Sequence, residues 1–157
     1  MSTIEKTNKT TDPYNFNRFI QAQERDYIRA LSEVNNGRKK SHWMWYIFPQ
    51  FEGLSSSTTS KRYSIKSIAE AKAYLNHPIL GTRLKECAKA VLCVENRSAQ
   101  DIFDSPDDMK LKLCATLFAY ISPSGSVFEQ LLDKYYQGER DAKTIHLLEK
   151  GRTSQNS

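Results

Sequence analysis

One stretch, GRKKSHWMWYIFPQ (residues 37–50), gathers the side chains best suited to chemistry. Arg38 offers a planar fork of donors and Lys39 and Lys40 two point charges, the equipment by which proteins hold a phosphate or carboxylate. Ser41 adds a hydroxyl and Gln50 an amide. His42 carries an imidazole that titrates near neutrality, suited to moving a proton or orienting an anion. Both tryptophans of the chain, Trp43 and Trp45, follow directly, and an indole face is a wall against which a planar ring can stack. Together these types describe a site for a small, planar, anionic ligand of nucleotide type. The same residues have a plainer use, since aromatic side chains bury about 150–250 Å² each and dominate cores. A single histidine is likewise more often a hydrogen-bonded structural residue than a catalyst.

A second group lies further along. Arg62 and Tyr63, next to Lys61, are placed to close the far side of such a site. Asp107 and Asp108 follow Ser105-Pro106, and carboxylates in a first helical turn are favoured by the helix dipole; they could instead pair with Arg38 or Lys110, and Asp108 is the alternative to His42 for moving a proton. Lys110 and Thr116, on the same helix, complete the ligand-binding set. The catalytic candidates are therefore His42 and Asp108. The binding candidates are Arg38, Lys39, Lys40, Ser41, Trp43, Trp45, Gln50, Arg62, Tyr63, Lys110 and Thr116. No glycine-rich phosphate loop and no Ser-His-Asp spacing is present. The three cysteines, Cys87, Cys93 and Cys114, are odd in number and cluster neither with one another nor with histidine, which argues against a disulfide framework or a zinc site. No metal and no cofactor is expected.

Charge supports an anionic partner at this place. Arg38 to Lys72 contains seven basic and two acidic residues, a local excess of +5 equal to the net charge of the whole chain. A solvated basic face is the common explanation of such a run, and +5 is modest for a nucleic-acid binder. A polynucleotide partner is accordingly not expected. No apolar run approaches the roughly 20 residues of a membrane span, and the N-terminus lacks the layout of a secretory signal. The expected location is the cytoplasm, with no membrane partner.

The elements that must position these residues are helical. Residues 1–12 are polar and aperiodic and read as a disordered tail. Phe16, Phe19, Ile20, Tyr27, Leu31 and Val34 recur at helical spacing and stop at Asn35-Asn36-Gly37. The aromatic block after Ser41 is apolar on every side, so periodicity cannot type it; Pro49 ends it. Residues 54–60 are a Ser/Thr-rich loop. Ser67-Ile-Ala-Glu70 has the pattern of a capping box and opens a helix that breaks before Pro78, where His77 is placed to fix a turn between helices. A further helix runs from Ile79 towards Asn96. Ser98 and Asp101 cap one turn, Ser105 and Pro106 begin a long helix to Pro123, Ser126 caps another that Gly138 ends, and a last short one spans about Asp141 to Leu148. The 157 residues make one domain, all-α, of six to eight short or medium helices over 13–149, with a polar tail expected to be disordered over 150–157.

Residues 37–50, Glu70-Ala71 with Tyr74-Leu75, His77-Pro78-Ile79-Leu80-Gly81 with Arg83-Leu84, and Asp108-Met109-Lys110-Leu111 with Thr116-Leu117-Phe118 resemble, in this order, the family catalogued as domain of unknown function 1810. The resemblance covers residues 14–149. It implies a small all-helical protein like a mycobacterial helical protein of unknown function, and no established reaction. The label calpastatin, sometimes attached to members, implies a disordered inhibitor and does not suit a chain with this many helix caps. Two departures stand out: Asp104 where the family usually has glycine, and Cys114-Ala115 in place of a small or Met-containing pair. The functional expectation is a small-anion-binding protein, with metal-independent hydrolase or transferase chemistry left open. The alternative is a regulatory module whose aromatic-basic surface docks a protein. Oligomeric state is not legible.

Overall fold

Local caps and apolar periodicity decide where the chain turns helical. The computed structural model describes residues 12–156, with side chains to 151. Among them nine helices form: α1 (Asn17–Asn35), α2 (Met44–Ile47), α3 (Thr58–Arg62), α4 (Ile68–Asn76), α5 (Leu80–Leu92), α6 (Ala99–Phe103), α7 (Asp107–Tyr120), α8 (Val127–Tyr136) and α9 (Ala142–Asn156). The all-α class is as read from the sequence. The count is higher because α2 and α3 are single turns, one inside the untyped aromatic block and one at the end of the Ser/Thr-rich stretch. There Ser57 Oγ accepts the Ser60 N–H at 3.1 Å and starts a helix in a stretch whose Ser/Thr-rich composition predicts a loop. Among the described residues, extended pairing is confined to one parallel bridge between Phe51 and Ile65.

Asp12 is the one residue of the expected tail 1–12 that is described, and its carboxylate accepts the N–H groups of Phe16 and Asn17 at 2.7 and 3.2 Å. Residues 1–11 lie outside the described residues. At the other end of α1, Gly37 takes φ +77°. Its N–H and that of Arg38 reach back to the carbonyls of Val34 and Glu33 at 2.8 and 3.0 Å, the paired closure that a left-handed residue permits.

Other caps depart from expectation in detail. Ser67 Oγ accepts the Glu70 N–H at 3.0 Å, but the Glu70 carboxylate does not return the bond. It takes the Lys66 N–H at 3.0 Å and the Arg18 guanidinium at 2.9 Å. Arg18 spends its remaining donors on the carbonyls of Tyr14, Asn15, Arg62 and Ser64, so this buried pair is fully hydrogen-bonded, the condition under which a buried ion pair is tolerated. Ser98 and Asp101 do form the reciprocal box, at 3.0 and 2.9 Å. Helix α7 starts one residue later than expected, with Pro106 at the cap position and no side-chain cap. The Asp108 and Met109 N–H groups use the carbonyls of Asp104 and Pro106 instead, at 2.9 and 3.0 Å. Ser126 caps α8 as expected, and Gln137, itself left-handed at φ +57°, ends it together with Gly138. Helix α9 continues to Asn156, past the expected stop at Leu148 and into the stretch from 150 that is expected to be a disordered tail.

The corner between α4 and α5 is set by two residues. His77 Nδ1 accepts the N–H groups of Ile79 and Leu80 at 3.1 and 3.2 Å, so the imidazole caps α5. Gly81 lets the helices meet: a Cβ there would sit 2.0 Å from the Leu75 carbonyl oxygen. Helices α1, α5, α7 and α8 then close around Leu84, Leu111, Leu117 and Phe128. A run of rings, Phe19–Tyr74–Phe118–Phe128, crosses the core at centroid spacings of 5.1, 5.7 and 5.4 Å. Each such buried side chain contributes about 1.5–3 kcal/mol.

Candidate functional site

The loop that carries the cationic triplet is shaped by Glu33, a residue in the last turn of α1 that the sequence reading did not select. Its carboxylate accepts the N–H groups of Lys40 and Ser41 at 2.7 and 3.0 Å, the Ser41 hydroxyl at 2.6 Å and the Trp43 indole N–H at 2.9 Å. Burial by itself would raise the Glu33 pKa. The bonds from Ser41, Lys40 and Trp43 outweigh it and hold the carboxyl at about 2. One signal was available in the sequence: an acid in the last turn of a helix opposes the dipole and so asks for other partners. The Lys39 N–H, bonded to the Ile102 carbonyl at 2.7 Å, ties the same loop to α6.

Beneath this loop lies a cavity of about 300 Å³, lined in part by Lys39, His42, Trp43, Trp45, Asp107 and Lys110, with Thr59 of α3 at its edge. Asp107 holds two ammonium groups, Lys39 Nζ at 2.9 Å and Lys110 Nζ at 3.0 Å. Burial opposes ionisation of this carboxyl, and the two lysines outweigh it, so its pKa lies below the ordinary value. Two cations share one carboxylate, which leaves one positive charge uncompensated by this trio. Lys110 Nζ also stands 4.0 Å from the Trp45 ring centroid, and Lys39 Nζ 5.0 Å from that of Trp43. Trp45 is half-buried and His42 exposed. Among the described residues no carboxylate bonds the His42 imidazole to orient it, so the arrangement suits binding better than proton transfer. Tyr46, another lining residue, has its hydroxyl bonded to Asp26, and burial with that contact pushes its pKa up to about 12.

The structure therefore brings together Lys39, His42, Trp43, Trp45 and Lys110, and sends the other candidates elsewhere. Trp43 is 1% exposed, packed on Phe48 and Phe103, and its N–H is already used; it is floor, not a stacking wall. Arg38 is turned away in a two-pronged pair with Asp104 at 3.0 and 2.8 Å. Ser41 serves Glu33, and Lys40 is exposed outside the cavity. Gln50 is buried with an unpartnered Oε1, and Tyr63 packs between Phe19 and Tyr46. Thr116 is fully buried and its hydroxyl accepts the Asp141 N–H at 3.0 Å. Asp108 points away from His42's cavity: it is not among the lining residues, its Oδ1 is buried without a partner, and its carbonyl accepts from Tyr136. The local +5 excess is also reduced in space, because Asp104 and Asp107, both outside the 38–72 segment, neutralise Arg38 and Lys39.

Two further cavities exist. One of about 620 Å³ is bordered by Arg18, Lys61, Arg62, Lys66 and Glu70, and it is here that Arg62 belongs. Another, of about 430 Å³, lies between α4, α5 and the α7–α8 turn. Among the described residues no three His, Cys, Asp or Glu side chains cluster as metal ligands do, and no helix is long and apolar enough to cross a membrane.

A family model described as a protein of unknown function, DUF1810, matches residues 13–148. Among solved structures, the crystal structure of a conserved hypothetical protein from Mycobacterium tuberculosis is similar, with a TM-score of 0.85 and 47% identity over 87% of this chain and 98% of that one. Among curated proteins none matches.

Proposed function

Because this chain belongs to the DUF1810 family, a family of unknown function from which it inherits no activity, we propose from its own residues that it binds a small, planar anion of nucleotide type in the cavity under the 38–45 loop. The supporting observation is the convergence on one cavity of Lys39 and Lys110, both on Asp107, with the half-buried Trp45 and the exposed His42. The volume, about 300 Å³, is at the lower end of small-molecule sites, which favours a mononucleotide or a smaller aromatic acid over a dinucleotide. The anionic group meets Lys110 and Lys39, Trp45 supplies the apolar wall, and His42 closes the rim with a hydrogen bond. Asp107, ionised at neutral pH, steers the lysines and does not donate a proton. Any metal-independent hydrolase or transferase step at this site would fall to His42, without Asp108. A concave, cation-lined cavity supports a small ligand over a docked protein surface.

The test is a fluorescence titration with nucleoside monophosphates, nicotinamide mononucleotide and aromatic carboxylates. Trp45, the more exposed of the two indoles, reports binding, so Trp45→Phe removes the signal. Lys110→Gln weakens binding about tenfold or more, the order expected for a lost charge-assisted bond. If none of these anions changes the fluorescence or the melting temperature, the small-ligand reading fails and the protein-docking alternative takes its place.

A further inference from the structure

A different part of the molecule carries an inference independent of the His42 cavity. The groove of about 430 Å³ between α4, α5 and the α7–α8 turn has Lys72, Lys85 and Lys89 on its rim and Leu75, Ile121 and Val127 among its apolar lining. All three lysines are exposed, and the three apolar residues are half-buried, so their faces remain open to the groove. Among the described residues, no acidic one lines it. The acids nearest in sequence are engaged elsewhere: Glu70 with Arg18, Glu86 with Tyr27, and Glu129 with the Gly125 N–H and Arg140. Lys85 and Lys89 are also four residues apart on one helix, a like-charge spacing that destabilises the helix it sits on. None of the three ammonium groups has a counter-ion among the described residues.

We propose that this groove binds an amphiphilic anion, a single carboxylate carried on an aliphatic body. The carboxylate sits among Lys72, Lys85 and Lys89 and relieves their repulsion, while the chain lies on Leu75, Ile121 and Val127. Concavity distinguishes this occupant from a membrane surface, which needs apolar groups that protrude. The volume falls within the roughly 300–1,000 Å³ of small-molecule sites.

The experiment is calorimetric titration of the full chain with decanoate below its micellar concentration, alongside octanoate, decanol and decyltrimethylammonium. Decanoate is expected to bind. Octanoate should bind several-fold more weakly, because each buried methylene is worth up to about fourfold, and the neutral and cationic analogues at least tenfold more weakly. The double variant Lys85→Gln/Lys89→Gln, which alters only exposed side chains, should lose at least tenfold in affinity with its melting temperature unchanged or raised. Three results would overturn the proposal: no decanoate binding, decanol binding as tightly as decanoate, or an unchanged affinity in the double variant. Sedimentation with phosphatidylglycerol vesicles in the absence of decanoate binding would assign the lysines to a lipid surface and overturn it equally. Trp45→Phe should leave decanoate binding intact, which separates this site from the nucleotide-type one.

Discussion

Glu33 does more for the candidate site than any residue of the cationic triplet, because four donors of the 40–43 loop end on its two oxygens. Glu33→Gln removes the charge and turns one acceptor into a donor facing donors. The expected loss is about 2 kcal/mol, in the range for hydrogen bonds to charged groups, read by urea denaturation at pH 7. The pH dependence has a definite sign. The folded pKa is depressed to about 2 from an ordinary 4.5, so the stabilisation is complete above 4.5 and is lost as pH falls towards 2. The difference between wild type and Glu33→Gln should therefore shrink between pH 5 and 2. Asp104 poses the opposite case. It sits at φ +59°, ψ 166°, a region that costs a residue other than glycine about 1–3 kcal/mol. Its pair with Arg38 is exposed on both sides and worth about 0–1 kcal/mol. Asp104→Gly should therefore raise stability by about 1 kcal/mol in thermal melts, because glycine adopts this region without strain. A lower melting temperature would mean that the Arg38 pair outweighs the strain.

At the scale of elements, the caps carried most of what could be read ahead. Ser98 with Asp101, Ser126, and Gly37 are short-range devices whose partners lie within a few residues, so sequence spacing specifies them. Ser67 with Glu70 shows where that stops: the serine half formed, while Glu70 was taken by Arg18, 52 positions away. The cap on α5 leads to a pH prediction. His77 accepts two N–H bonds through Nδ1, which only the unprotonated nitrogen can do. Burial lowers its pKa below the ordinary 6.5, so the neutral form is favoured on folding. This stabilisation is present above pH 6.5 and disappears as pH falls through the lower folded pKa. Wild type should lose about 1 kcal/mol over that interval, the usual size of a cap, and His77→Ala should lack this component. Equal slopes for the two proteins between pH 7 and 5 would remove His77 from the account.

On the scale of the whole molecule, the three thiols report how the helices close. Cys93 is exposed, whereas Cys87 and Cys114 are buried in the core. Burial pushes the Cys87 thiol up to about 12 and that of Cys114 well above its usual value. One thiol per chain should react rapidly with an aromatic disulfide reagent at pH 8, and the other two only at the rate of opening of the core. Fast reaction of all three would show that α5 and α7 separate readily.

Sequence alone determined the helical class, since periodicity and caps are local, and it placed the candidate site in residues 38–50. It could not apportion roles within that block. Trp43 and Trp45 are alike on paper; the turn of α2 directs the first into the core and leaves the second half-buried at the cavity. The excess of cations between 38 and 72 looked uncompensated because Asp104 and Asp107, which neutralise Arg38 and Lys39, come from a segment more than sixty residues away. Charge pairing and burial depend on distances that only the packed helices define, and so the tertiary structure decided which of the candidates share a cavity.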